Sequence, residues 1–330
     1  MAIRSINNPI ASFNDPYANT GTEAYGPSAI PYPDGTGKWY GARGVWAGGN
    51  TPGGYQLLMD YVTIASTGNA STFGNLLSPA RTPHGGASDG SRGVNSTGWN
   101  GSVQGQIDYI TIGTTGNASD FGDLSVARRG GGAACDGVRT VWSGGYDGST
   151  YVGTHDYITM STLGNAVFFG SGTTSDYQTG GTSNLTYGLW SGGTSLDNTI
   201  KYVTIATKGN SVVWGYGIGS AGYGMAACSS SANRACFSMG TNNNGGAGIY
   251  YVEITTPGNA SSFGDLTDGR RFGAACSDGS RGVFGGGEDY DAGNVSRNII
   301  DYITIGTTGN ATDFGDLQDV VAGIAAMGGT

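Results

Sequence analysis

A fourteen-residue string that opens on Tyr and closes on an aromatic residue and Gly occurs six times in this chain, and no other feature constrains the architecture as much. The copies are YVTIASTGNASTFG from Tyr61, YITIGTTGNASDFG from Tyr109, YITMSTLGNAVFFG from Tyr157, YVTIATKGNSVVWG from Tyr202, YVEITTPGNASSFG from Tyr251 and YITIGTTGNATDFG from Tyr302. Successive tyrosines stand 48, 48, 45, 49 and 51 residues apart, whereas inside every copy Gly follows Tyr by seven residues and Phe or Trp follows it by twelve. Length varies between copies and never within them, so the string is framework. A period of this size is the mark of a repeat architecture.

Each period divides into four short strands. In one of them, RRGGGAAC (128–135) reads as strand A, Asp136-Gly137 as a turn, RTVWSGG (139–145) as strand B, DYITM (156–160) as strand C and AVFFG (166–170) as strand D. Tyr157 and Thr159 fall on one face of strand C and Ile158 and Met160 on the other. Gly164 and Asn165 turn the chain between C and D, and positive φ is the expected reason for their recurrence. With 64 Gly, only 12% charged residues and apolar runs too short for helices, the chain is predicted to be all-β, a six-bladed β-propeller with four antiparallel strands per blade. VVAGIAAMGGT (320–330) aligns with strand A and RGVWAGG (43–49) with strand B, so the closing blade is expected to be built from both termini. Residues 37–330 then form the propeller. Residues 1–36 carry five of the nine prolines and no alternation, and read as an extended arm with Phe13, Tyr17, Tyr25 and Tyr32 as anchors for docking onto a neighbouring protein.

The order within the period resembles the kelch repeat. The likeness lies in an Arg-led strand of small residues, an apolar strand ending in Gly-Gly (GVWAGG 44–49, TVWSGG 140–145, GLWSGG 188–193, GVFGGG 282–287), a Tyr strand and an aromatic strand. It covers about residues 40–330, and VNSTG (94–98) and FSMG (237–240) depart from it, which predicts altered B–C corners there. The string DYITI…TGNA(S/T)DFGDL is also similar to repeats in virion proteins of tailed bacteriophages. That resemblance implies a non-enzymatic structural or binding protein of a virion, made in the host cytoplasm, on capsid or tail, contacting other virion proteins through the arm and a host surface glycan through the propeller. A soluble carbohydrate-binding propeller outside a virion is the alternative. Kelch propellers also include copper radical oxidases, which use two His and two Tyr; His84 near a D–A loop and His155 in a B–C loop are the two histidines here, and both are expected at the surface.

Binding is expected on one face. The A–B and C–D turns are short and repetitive, while the B–C loops (50–58, 99–106, 146–155, 194–199, 241–248 and 288–298) vary in length and composition, as binding loops on a rigid scaffold do. Tyr55, Trp99, Tyr146, Tyr151 and Tyr290 fall in these loops beside amides and small polar residues, a mixture suited to sugars, although packing of the loops is the plainer reading. On the same face the D–A loops supply Arg81, Arg128, Arg129, Arg270 and Arg271. A structural ion pair is the plain role for an Arg heading strand A, and an anion clamp the sharper one, with Arg129 and Arg271 as the ligand candidates. Glu288, Asp289 and Asp291 form a weak candidate Ca²⁺ loop without EF-hand spacing, and no other metal, catalytic residue or cofactor is expected.

A net charge of −9 without a Lys/Arg cluster argues against nucleic acid, and the lack of a long apolar run argues against membrane insertion. Cys135, Cys228 and Cys276 each close an Ala-Ala-Cys string and read as small buried side chains, while Cys228 and Cys236 are the pair placed to form a disulfide across a hairpin. The sequons at Asn69, Asn117 and Asn310 arise from the repeat itself.

Overall fold

The computed structural model describes residues 41–329 apart from positions 97, 173–176, 185, 194–197, 218–221, 223, 225, 230–233, 239 and 241–243. The arm, with Phe13, Tyr17, Tyr25 and Tyr32, lies outside the described residues, as does most of the B–C loop at 194–199.

Six four-stranded antiparallel sheets make up the fold. In the order A, B, C, D, blade 1 is Ala325–Gly329, Arg43–Ala47, Leu58–Thr63 and Ser71–Asn75, and blade 2 is Gly85–Ser88, Arg92–Ser96, Gln106–Thr111 and Ser119–Asp123. Blade 3 is Gly132–Cys135, Arg139–Ser143, Thr154–Thr159 and Val167–Ser171, and blade 4 is Gly180–Ser183, Tyr187–Ser191, Thr199–Thr204 and Val212–Tyr216. Blade 5 is Ala226–Ser229, Arg234–Ser238, Gly248–Glu253 and Ser261–Asp265, and blade 6 is Ala274–Ser277, Arg281–Gly285, Ile299–Thr304 and Thr312–Asp316. The six A strands touch one another in a closed cycle, so the sheets stand radially around an axis as a β-propeller. Blade 1 joins the last described strand to the first, with Arg43 opposite Gly329 and Ala47 opposite Ala325.

The signature is a clasp between blades. In every blade strand D bulges at the aromatic residue: Ile107 faces Gly122 and Asp108 faces Asp120, which leaves Phe121 without a ladder partner. The turn of the next blade fills the opened edge. Asn117 Oδ1 accepts the Asn75 amide at 3.0 Å, and the Ala118 amide donates to the Asn75 carbonyl at 2.8 Å. Asn69, Asn165, Asn210, Asn259 and Asn310 repeat the side-chain bond at 2.9–3.1 Å on Asp316, Asp123, Ser171, Tyr216 and Asp265, so all six seams carry it. The approach is close enough to exclude a side chain, because a Cβ on strand-D Gly170 would lie 2.0 Å from the Gly209 carbonyl oxygen.

Recurrence of Gly-Asn therefore has a different cause from the expected left-handed turn. Three of the six turn glycines (Gly68, Gly164 and Gly309) have positive φ, and none of the six asparagines does. Asn is required for its carboxamide oxygen, and the sequons follow from that.

The signature Tyr is held between two neighbours. Tyr109 meets Phe121 edge-on at 6.1 Å while Arg92 lies 4.8 Å over its ring, and Arg43–Tyr61, Arg139–Tyr157, Arg234–Tyr251 and Arg281–Tyr302 repeat the stack. Each of these arginines then donates to a main-chain carbonyl of the following blade: Arg43 to Ile112, Arg92 to Met160, Arg139 to Ile205, Arg234 to Ile305 and Arg281 to Ile64. In blade 4, where Tyr187 replaces Arg, Asn184 Nδ2 reaches the Ile254 carbonyl. The core lies in the seams, where Trp46 and Trp142 donate Nε1–H to Ala274 and Gly85 on the A strand of the preceding blade.

Two sequence expectations shift in register. Strand A starts at Gly132, not Arg128, because residues 128–131 belong to the D–A loop. Cys228 and Cys276 oppose Cys236 and Val283, whereas Cys135 opposes Thr140 and sits one residue further along its strand. Cys228 and Cys236 face each other directly and are not joined by a disulfide.

The clasp separates two substitutions at one seam. Asn210→Ala removes one exposed hydrogen bond and should cost about 1 kcal/mol or less, while Gly170→Ala forces two main chains apart and should cost about 1–3 kcal/mol or more. Urea denaturation checks the order, and a Gly170→Ala protein as stable as Asn210→Ala would contradict the clasp.

Candidate functional site

The arginine four residues before strand A is buried and structural in three blades. Arg81–Asp108, Arg128–Asp156 and Arg270–Asp301 pair at 2.7, 2.9 and 2.9 Å with every side chain 0% exposed. Burial lowers Arg128 and Arg270 and raises Asp108, and the opposite charge resists each shift. The same aspartates accept from the loop entering their own blade, at Leu77, Ser125 and Thr267. The glycine at each B–C corner makes room for the arginine: a Cβ on Gly98 or Gly145 would lie 2.9 Å from Cδ of Arg81 or Arg128. Gly98 thus serves blade 2 although its Gly-Gly is missing, and a ribbon of Gly98–Trp99 and Val103–Gln104 follows at once. In blade 1 Val321 takes the arginine position and Gln318 bonds Asp60; in blade 4 Lys201 stands where the aspartate would be and is buried.

Beyond these arginines the D–A loops form a collar around the axis. Gln178 N–H donates to Gly130, Gly224 to Gln178, Phe272 to Gly224 and Gly323 to Phe272 at 2.6–2.9 Å. All five residues have φ between 61° and 80°, so this loop holds the left-handed residues that the C–D turn was expected to need. Pro83 takes the sixth place, where it has no N–H to donate. Below the collar the axial cavity has a volume of about 110 Å³ and is lined by A-strand residues such as Ala87, Ala134, Ala227 and Ala275. That is room for a few waters and too small for a sugar ring.

The open site lies outside the collar, over blades 2 to 4. Trp99 is delivered by the blade 2 ribbon, which is fixed on both sides: Thr82 N–H donates to the Trp99 carbonyl, and Gly98 N–H donates to the Arg128 carbonyl of blade 3. Arg129 and Tyr146 exchange two main-chain hydrogen bonds, at 3.0 and 2.9 Å, which brings the head of the blade 3 B–C loop against its D–A loop. The Arg129 guanidinium then lies 4.3, 5.3 and 5.5 Å from the ring centres of Trp99, Tyr146 and Tyr177. Tyr151 completes the basin at 5.5 Å from Tyr146 and stacked 6.0 Å from Tyr177, and half of its surface remains exposed. Beside Trp99, Gln104 Nε2 and Ser102 Oγ both bond Asn100 Oδ1, which sets a rim of amides and hydroxyls on the ribbon at the Trp99 end of the basin.

Four of the seven expected ligand residues (Trp99, Arg129, Tyr146 and Tyr151) thus converge, and three do not. Tyr55 stands exposed on the blade 1 ribbon, Asn50–Thr51 with Gly54–Tyr55. Arg271 lies 4.7 Å over Tyr290 in blade 6, but its guanidinium is already bonded to Glu288 at 2.8 Å and to Asn294 at 2.9 Å. Asp289 pairs with Arg297 at 2.6 Å, so two of the three carboxylates of the candidate Ca²⁺ loop hold arginines, and among the described residues no three His, Cys, Asp or Glu side chains converge as a ligand set. Tyr177 was not anticipated. It stands three residues before strand A, as Arg129 and Arg271 do, and only alignment on strand A exposes the match.

The histidines also differ from expectation. His155 lies in strand C, not in a surface loop; it is 1% exposed and stacks on Trp190 at 5.7 Å. His84 meets Phe272 edge-on at the collar. Burial holds both down to about 4, aided by Arg128 and Lys201 at His155 (Asp156 opposing) and by Arg129 at His84. On the outer rim, strand D of blades 3 and 4 exposes Val167, Phe168, Val212 and Val213, where the other blades have Ser, Thr or Asp. No protein-family model matches the chain, and no curated protein matches it.

Because the folded histidines titrate near 4 and unfolded ones near 6.5, the unfolded chain binds more protons in between, so stability is full above pH 6.5 and falls toward pH 4. Asp60, Asp108 and Asp136, raised by burial, act in the opposite sense just above the ordinary carboxylate range. His155→Ile, the residue at the matching positions 107, 200, 249 and 300, should flatten the fall of Tm between pH 6.5 and 4.5. An unchanged slope would place His155 in contact with water.

Proposed function

We propose that this chain is a non-enzymatic binding propeller of a tailed-phage virion, and that it takes a host surface glycan at the basin of Trp99, Tyr146, Tyr151 and Tyr177. The observation that carries the binding reading is the convergence of four aromatic rings on one open corner beside an amide rim, at positions that the repeat does not need for its framework. Aromatic faces cover the apolar side of a pyranose while amides satisfy its hydroxyls. The rings of the repeat itself, by contrast, are tied in by stacked arginines in five blades and by Tyr187 in the sixth. The virion reading is supported by the likeness of DYITI…TGNA(S/T)DFGDL to phage repeats, and residues 1–36 are proposed as the attachment arm. A soluble glycan-binding propeller outside a virion uses the same basin.

On an array of bacterial surface glycans the protein should bind a subset, with Trp99→Ala and Tyr151→Ala each weakening binding about 10-fold or more, as loss of an anchoring aromatic does, and Tyr55→Ala having no effect. Binding that survives both basin substitutions would move the site elsewhere. For the virion reading, residues 1–36 should be cut by protease in the isolated protein and protected in the assembled particle; equal cleavage in both would remove the attachment role.

A further inference from the structure

Eleven arginines fall among the described residues, and ten of them commit their guanidinium to a carboxylate or a carbonyl. Arg81, Arg128, Arg270, Arg271 and Arg297 pair with aspartate or glutamate on the B–C/D–A side. Arg43, Arg92, Arg139, Arg234 and Arg281 donate to carbonyls on the opposite face. Arg129 alone among the described arginines has neither an ion pair nor a hydrogen bond from its side chain. Its Nε is buried without a partner. Rings lie against it at 4.3–5.5 Å, and they screen it from the solvent without neutralising it. The matching residue of blade 6 shows how the same position is made structural, since Arg271 is neutralised by Glu288 from its own B–C loop. Blade 3 has Tyr146 at the residue that bridges to Arg129, where blade 6 has Glu288 bridging to Arg271, so the loop supplies a ring in place of a carboxylate.

A protein of net charge −9 whose most aromatic corner holds a guanidinium with neither a carboxylate nor a carbonyl partner among the described residues presents a specific site for a negative group. Resting on the glycan reading above, we propose that the basin selects a carboxylated sugar: the ring stacks on the exposed Tyr151 and on Trp99, and its carboxylate is held by the Arg129 guanidinium. A planar carboxylate matches the guanidinium fork in two parallel hydrogen bonds, which a hydroxyl cannot do. In a site partly screened by rings, that pairing acts at lower effective dielectric than on open surface.

The experiment compares acidic bacterial oligosaccharides with the same molecules after their carboxyl groups are reduced to primary alcohols, using titration calorimetry. The wild-type protein should bind the acidic member of a pair at least 10-fold more tightly. Arg129→Gln should abolish that preference, so that the two members bind alike, and Arg129→Lys, which keeps the charge without the fork, should retain only part of it. Tyr151→Ala should weaken both members alike. Equal affinity of the wild type for both members, or a preference that persists in Arg129→Gln, overturns the carboxylate assignment and leaves the glycan reading standing. Binding of neither member overturns both. Unchanged Tm across the variants ties the result to the site.

Discussion

Everything in this propeller depends on how one blade holds the next. A radial sheet has an outer edge, strand D, and an unpaired edge is unstable as an isolated element. Here the bulge at Phe or Trp frees part of that edge, and the Gly-Asn turn of the following blade satisfies it, so that both main-chain groups of a residue such as Asn75 are bonded across the seam. The glycine of one half allows the contact and the asparagine of the other half makes it. Two pieces of the signature that look independent along the chain are therefore one joint, used six times around a closed ring. This is why the signature admits no insertion: a residue added between Tyr and Asn would move the amide off its partner.

The two faces divide the labour. On the A–B/C–D side every blade sends a side chain to a main-chain carbonyl of its neighbour, and Asn184 takes over where arginine is missing. On the other side three blades are pinned from within by the Arg–Asp pair, and blade 1 by Gln318 on Asp60. Buried pairs of this kind gain little net stability because desolvation offsets attraction, but they fix where the D–A loop enters. That entry sets the next residue, Arg129 or Arg271, against the head of the B–C loop. The candidate site is a consequence: once Arg128 is pinned beneath Gly145, Arg129 must emerge beside Tyr146 and Trp99.

Much of the architecture was legible in the residues. The constant interval from Tyr to Gly to Phe revealed the blades, alternation placed Ile158 and Met160 inside, and the alignment of 320–330 with strand A anticipated the pairing of Arg43 with Gly329. Register was less legible. Cys135 and Cys276 end the same tripeptide but occupy neighbouring rungs, because Cys135 is the last residue before its A–B turn while Ser277 intervenes after Cys276, and a string match cannot count ladder partners. His155 was misplaced for a similar reason: it looks like loop, yet it holds the rung filled by Ile in four other blades, and its ring is shut between strands.

By itself the sequence determined the period, the all-β class, the number of blades and the face on which variation collects, because these follow from local spacing and composition. Only the tertiary structure decided which loop residues meet. Trp99, Arg129, Tyr146 and Tyr177 come from three blades and four chain segments, and they converge because neighbouring blades are clasped at a set angle and the D–A loops are pinned from below. The same geometry decided which of the described arginines are framework and which one is left with neither a carboxylate nor a carbonyl to bond. Adjacent residues 128 and 129 are identical in type and opposite in role, since one side chain points into a blade already holding Asp156 and the other into a ring of aromatic faces that offers it no anion.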